Sequence, residues 1–253
     1  MSLKEYADTT ARPSPKETAA RSRLEELFRN APMPEGELLD NLGLFIRRQN
    51  LTKILLMHEL YKKILNVHGI VAEFGTRWGQ NLALFESFRG IYEPYNHNRK
   101  IVGFDTFSGF ASLSEKDRND PLVFEGNMSV PQGYERYLSD ILNYHEQESP
   151  IPHITKYQLI KGDAVKTAPE YFEARPETIV AFAYFDLDLY EPTRACLETI
   201  KPHVTKGTVI AFDELNCSHF PGETLALREV FGLDRFSIQR PGLGTLESYI
   251  VIE

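Results

Sequence analysis

Cysteine is almost missing from this 253-residue chain. Cys196 and Cys217 are the only two and lack CxxC spacing, which excludes a disulfide framework and leaves them as free thiols. Long hydrophobic runs are missing too. Spanning a bilayer takes about 18 to 20 apolar residues, and stretches such as Ile179 to Phe185 fall far short of that. The first residues carry no apolar signal core, so the expectation is a cytoplasmic protein with no membrane partner. Positive charge is short: 28 basic residues against 36 acidic ones leave a net charge of −8, which opposes association with nucleic-acid phosphates or anionic lipid. No internal repeat and no low-complexity segment is present. The 42% hydrophobic fraction and the 16 Phe and 12 Tyr are what a packed globular domain needs, which excludes collagen-like and wholly disordered chains.

Residues 1–68 read as an N-terminal arm and helical cap. Met1 to Pro15 has no periodicity, whereas Leu51, Ile54, Leu55, Tyr61, Ile64 and Leu65 recur at helical steps and predict one buried stripe. The arm is the expected route to a homo-oligomer. From residue 69 to 253 the texture becomes β-rich runs alternating with helical stretches, the signature of a parallel sheet. The runs are Ile70 to Phe74, Lys100 to Phe104, Tyr157 to Ile160, Ile179 to Phe185 and Thr208 to Phe212. Arg235 to Gln239 and Leu246 to Ile252, around Pro241-Gly242-Leu243-Gly244, read as a closing hairpin, for seven strands in all. An insertion over 106–152 separates the second and third runs and holds a helix from Tyr134 to His145. Connections of this length are usually binding loops or lids.

In such a sheet, ligands bind at the carboxyl ends of the strands. The first run ends Glu73-Phe74-Gly75-Thr76-Arg77-Trp78-Gly79-Gln80-Asn81. Its glycines either let a ligand approach the backbone or simply make a tight turn into a helix. Asp105 stands where a nucleotide-binding fold places a ribose acceptor. Asp163, followed by Ala164, either flanks an adenine or caps a helix. The strongest signal is acidic. Asp186 and Asp188 follow the fourth run, while Asp213 and Glu214 follow the fifth. Neighbouring strand ends lie about 5 Å apart, so four carboxylates converge if those strands pair, an arrangement that suits a hard divalent cation such as Mg²⁺. The alternative for either aspartate alone is a helix cap.

The order Glu73-x-Gly75-x-x-x-Gly79, Phe104-Asp105-Thr106-Phe107-Ser108-Gly109, Gly162-Asp163, Asp186-x-Asp188-x-Tyr190-Glu191-x-Thr193 and Phe212-Asp213-Glu214 resembles the macrocin O-methyltransferase (TylF-type) family. These are sugar O-methyltransferases dependent on S-adenosylmethionine and Mg²⁺, and the resemblance covers roughly Val71 to Asn216. It implies an α/β fold of the class I methyltransferase, Rossmann-like kind, with a seven-stranded sheet (six parallel, one antiparallel), helices on both faces and the N-terminal cap. It implies that Glu73, Gly75 and Gly79 form the methionine-side wall of the cofactor pocket, with Asp105 at the ribose and Asp163 and Ala164 at the adenine; Thr76, Arg77, Trp78 and Asn81, in the same turn, are further candidates to bind the cofactor. Asp186 borders the cofactor and joins Asp213 and Glu214 as a metal ligand, and Asp188 is the general base. The family usually has Asp at position 214, where this chain has Glu. The implied partner is a small-molecule sugar or nucleotide sugar.

Other features compete with this reading. A nicotinamide-dependent dehydrogenase would need a GxGxxG that Gly75 does not begin. A non-catalytic S-adenosylmethionine-binding protein would leave the acids without a task. Cys217-x-His219 is a weak zinc spacing, and His153 is either a substrate contact or an exposed histidine. Trp78 lines the pocket or is buried under the cap. Arg77, Arg99 and Lys100 meet a diphosphate or form a solvated face.

Overall fold

A computed structural model describes residues 14–111, 113–117, 121–244 and 246–253. The arm expected over Met1 to Pro15 therefore lies, up to residue 13, outside the described residues. The chain divides into two compact units, Met1–Lys53 and Ile54–Glu253. In the first, helix α1 (Pro15–Arg29) opens on a capping box. Ser14 Oγ accepts the Glu17 N–H, and the Ser14 N–H returns a bond to the Glu17 carboxylate at 2.7 Å, so two helix-end donors are satisfied by one residue pair. Helix α2 (Glu35–Asp40) comes next, and neither helix has a buried residue.

Helix α3 (Arg48–Lys63) begins in the first unit and ends in the second. Its buried positions are Leu56, Met57, Leu60 and Tyr61, with Ile64 just beyond. Of the predicted stripe, Tyr61 and Ile64 are buried and Ile54 and Leu65 half-buried, whereas Leu51 and Leu55 are each 44% exposed. The sheet is built from β1 (Ile70–Phe74), β2 (Ile101–Asp105), β3 (Tyr157–Lys161), β4 (Val180–Phe185), β5 (Val204–Phe212) and β6 (Ser248–Val251). Between strands run α4 (Gln80–Tyr92), α5 (Tyr134–Glu148), α6 (Ala164–Glu173), α7 (Tyr190–Ile200) and α8 (Gly222–Val230).

The spatial order is β3-β2-β1-β4-β5-β6, with β6 antiparallel to β5 and all other pairs parallel. The sheet thus has six strands, five parallel and one antiparallel, where seven were expected. The missing one is Arg235 to Gln239. Only Gln239 makes a bridge, to Tyr249. Ile238, the one aliphatic side chain in that run, is 40% exposed, so the segment buries too little to hold a ladder, and Pro241 cannot extend one.

One apolar layer, with α6, α7 and α8, covers one face of the sheet, and a second, with the C-terminal half of α3, α4 and α5, covers the other. In the first layer Phe104, Phe74, Phe185 and Phe212 stand side by side on four adjacent strands. Their ring centroids are 4.9, 4.8 and 5.3 Å apart, and the planes of neighbouring rings lie within 24° of each other. Each ends its strand or precedes the last residue, so the stack forms a floor one residue below the carboxyl edge. Stacked pairs of this kind add about 0.5–1.5 kcal/mol each beyond the area they bury.

Charge is also buried in the second layer. Glu146 on α5 pairs with Arg89 on α4 and with Lys156, and all three are almost wholly covered. Arg89 also donates to the Lys156 carbonyl, and the Lys156 N–H donates to Glu146. Glu86, one turn before Arg89, is fully buried with neither carboxylate oxygen hydrogen-bonded. Burial pushes its pKa up to about 8, with the Glu146 charge adding to the rise and Arg89 and Lys156 opposing it. A carboxyl raised in the folded state holds its proton longer than the unfolded chain does, so its contribution to stability falls as pH rises from about 4.5 to about 8. Glu86→Gln is expected to match the parent near pH 5 and to exceed it progressively above, by up to about 4 kcal/mol at pH 9. Urea unfolding at both pH values checks this, and a constant difference would refute it.

Candidate functional site

The order of strands reverses at β1 and β4, the topological switch point where open α/β sheets bind ligands. Hydrogen bonding carries one residue past the ends of the strands. The Gly75 N–H reaches Phe104 O at 2.9 Å, Asp186 N–H reaches Phe74 O at 2.9 Å and Asp213 N–H reaches Phe185 O at 3.0 Å. The residues after the phenylalanine floor are thereby fixed along a common edge.

On the β1 side, Gly75 has φ +92° and a Cβ there would sit 1.9 Å from the Asp186 carbonyl oxygen, so only glycine fits. Arg77 is also left-handed, with φ +48°. Glu73 is buried and accepts the Asn81 amide at 2.8 Å. The Asn81 Oδ1 and the Thr76 hydroxyl are buried with no hydrogen-bond partner. Such groups are costly unless a ligand or water completes them, which fits a polar cofactor against this turn. Asp105 accepts the Arg77 N–H at 2.6 Å and the Phe107 N–H at 2.5 Å. Burial raises its pKa, while these two amides and the Arg77 charge oppose the rise. Asp163 caps α6 by accepting the Val165 N–H at 3.1 Å, and Ala164 is buried behind it.

Trp78 is 47% exposed, so it is not buried under a cap. It stands edge-on to Tyr134 of α5 at 5.0 Å, and Tyr134 donates its hydroxyl to the Trp78 carbonyl. The insertion therefore rests on the glycine turn. The other basic candidates lie elsewhere. Arg99 is buried and spends its guanidinium on Glu93 and on the carbonyls of Ile64, Val67 and Gly69, and Lys100 is exposed beside it. Both precede β2, at the opposite end of the sheet from the acids. His153 is exposed.

On the β4 and β5 side the acids do gather. Leu189 N–H bonds to the Leu187 carbonyl at 2.6 Å, closing a three-residue turn around Asp188, whose φ is +63°. That conformation is strained for a residue with a Cβ and persists only when its surroundings enforce it. The Asp188 and Glu214 side chains hydrogen-bond, and Glu214 also meets Cys217. Asp213 accepts the Tyr184 hydroxyl at 2.6 Å. Beneath them Glu223, fully buried at the start of α8, accepts the N–H of Leu187 and the N–H of Glu214 at 3.4 and 3.3 Å.

Burial comes first in raising these pKa values. Asp188 is pushed well above the carboxylate range, with the charges of Glu214 and Asp213 adding and Arg77 opposing. Glu214 is pushed up to about 8. Glu223 is raised well above its ordinary value by burial and by the charges of Asp188, Asp213 and Asp186. So many buried carboxylates with little opposing charge make a donor set suited to a hard cation. The expected triad of Asp186, Asp213 and Glu214 is nonetheless not assembled as a ligand set. No group of three or more His, Cys, Asp or Glu among the described residues has that arrangement. Asp213 is held by Tyr184 and Glu214 by Asp188.

Tyr184 and Glu223 escaped the sequence reading. Strand alternation marks Tyr184 as facing away from the phenylalanine stack. Glu223 leaves no local signal, since its partners are backbone amides. No described helix is long and apolar enough to cross a membrane.

No family model and no curated protein matches the chain. Among solved structures it is similar to CalS11, described as a calicheamicin methyltransferase, with 46% identity, a TM-score of 0.91 and coverage of 94% of this chain and 93% of that one. An apo structure of CalS11, described there as a TDP-rhamnose 3'-O-methyltransferase of calicheamicin biosynthesis, matches at 43% identity and TM-score 0.83, covering 94% and 95%. The O-methyltransferase NovP shares the fold at 16% identity and TM-score 0.60, over 79% of each chain. The identity to CalS11 spans nearly both chains in full, so the protein is an O-methyltransferase and belongs to the CalS11 family.

Proposed function

We propose that this protein transfers a methyl group from S-adenosylmethionine to a hydroxyl of a nucleotide-linked deoxysugar, with Mg²⁺ at the acidic edge. The carrying observation is the Asp188–Glu214 contact between the ends of β4 and β5, beside the β1 turn whose Gly75 abuts Asp186. The relationship to CalS11, whose described acceptor is TDP-rhamnose, supports the acceptor class.

The cofactor would lie across the switch point. Glu73, Thr76, Arg77, Trp78, Gly79 and Asn81 would hold its methionine end, where the unpartnered Thr76 and Asn81 oxygens await polar groups. Asp105 is oriented by two amides, yet each oxygen keeps a lone pair for a ribose hydroxyl. Asp163 and Ala164 would border the adenine, a role Asp163 combines with its cap. Asp186, Asp213 and Glu214 would supply the oxygen donors for the metal. When bound, the cofactor supplies an electrophilic methyl group on a sulfonium, and Mg²⁺ lowers the proton affinity of the sugar hydroxyl.

Asp188 accepts the proton from that hydroxyl as its oxygen attacks, and the strained turn fixes where its carboxylate stands. Arg77 moderates the basicity of Asp188 from the cofactor side. Closure by the insertion would exclude water and align the oxygen with the methyl carbon.

Asp188→Asn is expected to bind S-adenosylhomocysteine as the parent does and to lose about 10²- to 10⁴-fold in kcat. Calorimetry paired with a methyl-transfer assay on TDP-rhamnose checks both, and unchanged turnover would remove Asp188 from the role. Methyl transfer is expected to fall to background in EDTA and to return with added Mg²⁺, while S-adenosylhomocysteine binding persists. Full turnover in EDTA would refute the metal assignment.

A further inference from the structure

Helix α7 starts two residues after Asp188 and has no capping side chain of its own at Leu189. Its first amide is satisfied from far away in sequence. Asp117, in the insertion, is only 2% exposed and accepts the Tyr190 N–H on Oδ1 at 2.5 Å. Its Oδ2 accepts both the N–H and the hydroxyl of Ser114 at 2.7 Å, closing a short 3₁₀ turn over Glu115–Asp117. A negative charge at a helix N-terminus is stabilised by the helix dipole, and a charged acceptor makes the stronger kind of hydrogen bond. The neighbouring Lys116 lies over the Tyr190 ring at 3.8 Å and pairs with Glu229 of α8, which also accepts the Tyr190 hydroxyl at 2.6 Å.

The same point is pressed from the other side. A Cβ on Gly222 would meet the Tyr190 nitrogen at 2.4 Å and the Asp188 carbonyl oxygen at 2.6 Å, so α8 packs directly on this backbone. Thr193 then ties back to the Leu189 carbonyl at 2.7 Å. Among these contacts, Asp117 alone joins the insertion to the turn around Asp188 by a buried hydrogen bond to the backbone.

We propose that Asp117 is a positioning residue: it clamps the insertion to the first amide of α7 and so holds the strained turn that presents Asp188. This rests on the role proposed for Asp188. Were Asp117 only a local turn-former, its Oδ2 bonds to Ser114 would suffice and Oδ1 would need no partner on α7.

The test compares the full-length parent with Asp117→Ala, Asp117→Asn and Ser114→Ala, by amide hydrogen exchange over 186–193, by S-adenosylhomocysteine calorimetry and by steady-state kinetics on TDP-rhamnose. Losing a charge-assisted bond predicts exchange at Tyr190 faster by about 10-fold or more in Asp117→Ala. Displacing the base predicts a fall in kcat of about 10-fold or more, with acceptor KM and S-adenosylhomocysteine affinity within about threefold of the parent. Asp117→Asn retains an acceptor for Tyr190 and should lie between Ala and the parent in both readouts, and Ser114→Ala should leave Tyr190 exchange unchanged. Unaltered Tyr190 exchange in Asp117→Ala, or faster exchange with unaltered kcat, overturns the proposal. If Asp117→Ala fails to fold, Asp117→Asn decides, and parental behaviour in both readouts overturns it. A parent that methylates no sugar overturns the proposed function, while the exchange measurement still decides whether the clamp exists.

Discussion

Four stacked phenylalanines carry the rest of the structure. Phe104, Phe74, Phe185 and Phe212 are fully buried on four parallel strands and in contact in a row, so the strands cannot slip in register without breaking the row. A slip by one residue would also turn every ring to the opposite face of the sheet. The residue after each ring is therefore set at one height: Asp105, Gly75, Asp186 and Asp213 in turn. The apolar floor does for the polar edge what a rigid scaffold must do for any catalytic constellation, holding its members within fractions of an ångström.

Above that floor the two halves of the edge differ in electrostatic character. Around β1 and β2, two backbone amides converge on Asp105 and the Arg77 guanidinium stands near, offsetting part of what burial costs its charge. Around β4 and β5 carboxylates face carboxylates, and burial keeps them short of compensation. An unbalanced arrangement of this sort is tolerated where function uses the imbalance. The structure meets part of the cost with hydrogen bonds from Tyr184 to Asp213 and from two amides to Glu223.

Much of this was legible in the sequence because it is local. Each parallel strand announces itself as an apolar run, and four of the five runs end in Phe followed by glycine or aspartate, so the edge could be read in order. The helix in the insertion was legible from its own spacing. The reading failed where the deciding contacts are distant or weak. Arg235 to Gln239 looked like a strand by composition, yet pairing depends on what a neighbour offers, and it makes one bridge. Asp117 and Glu223 bind backbone amides 73 and up to 36 residues away, and almost any residue type presents an amide, so no pattern of side chains points to them. Arg99, read as either a diphosphate contact or part of a solvated face, is a buried structural knot instead, because most of its partners are carbonyls, equally silent in sequence.

The contact between α5 and the glycine turn reaches further than its size suggests. Leu138 sits so close to Gly79 that a Cβ there would lie 2.3 Å from its methyl group, while Tyr134 holds the Trp78 carbonyl. The insertion is thus not an exchangeable module laid on a finished core, since its helix forms part of the wall of the turn that precedes α4. A change in this helix must therefore be matched by a change in that turn, which couples the two segments and restricts how either can be altered alone.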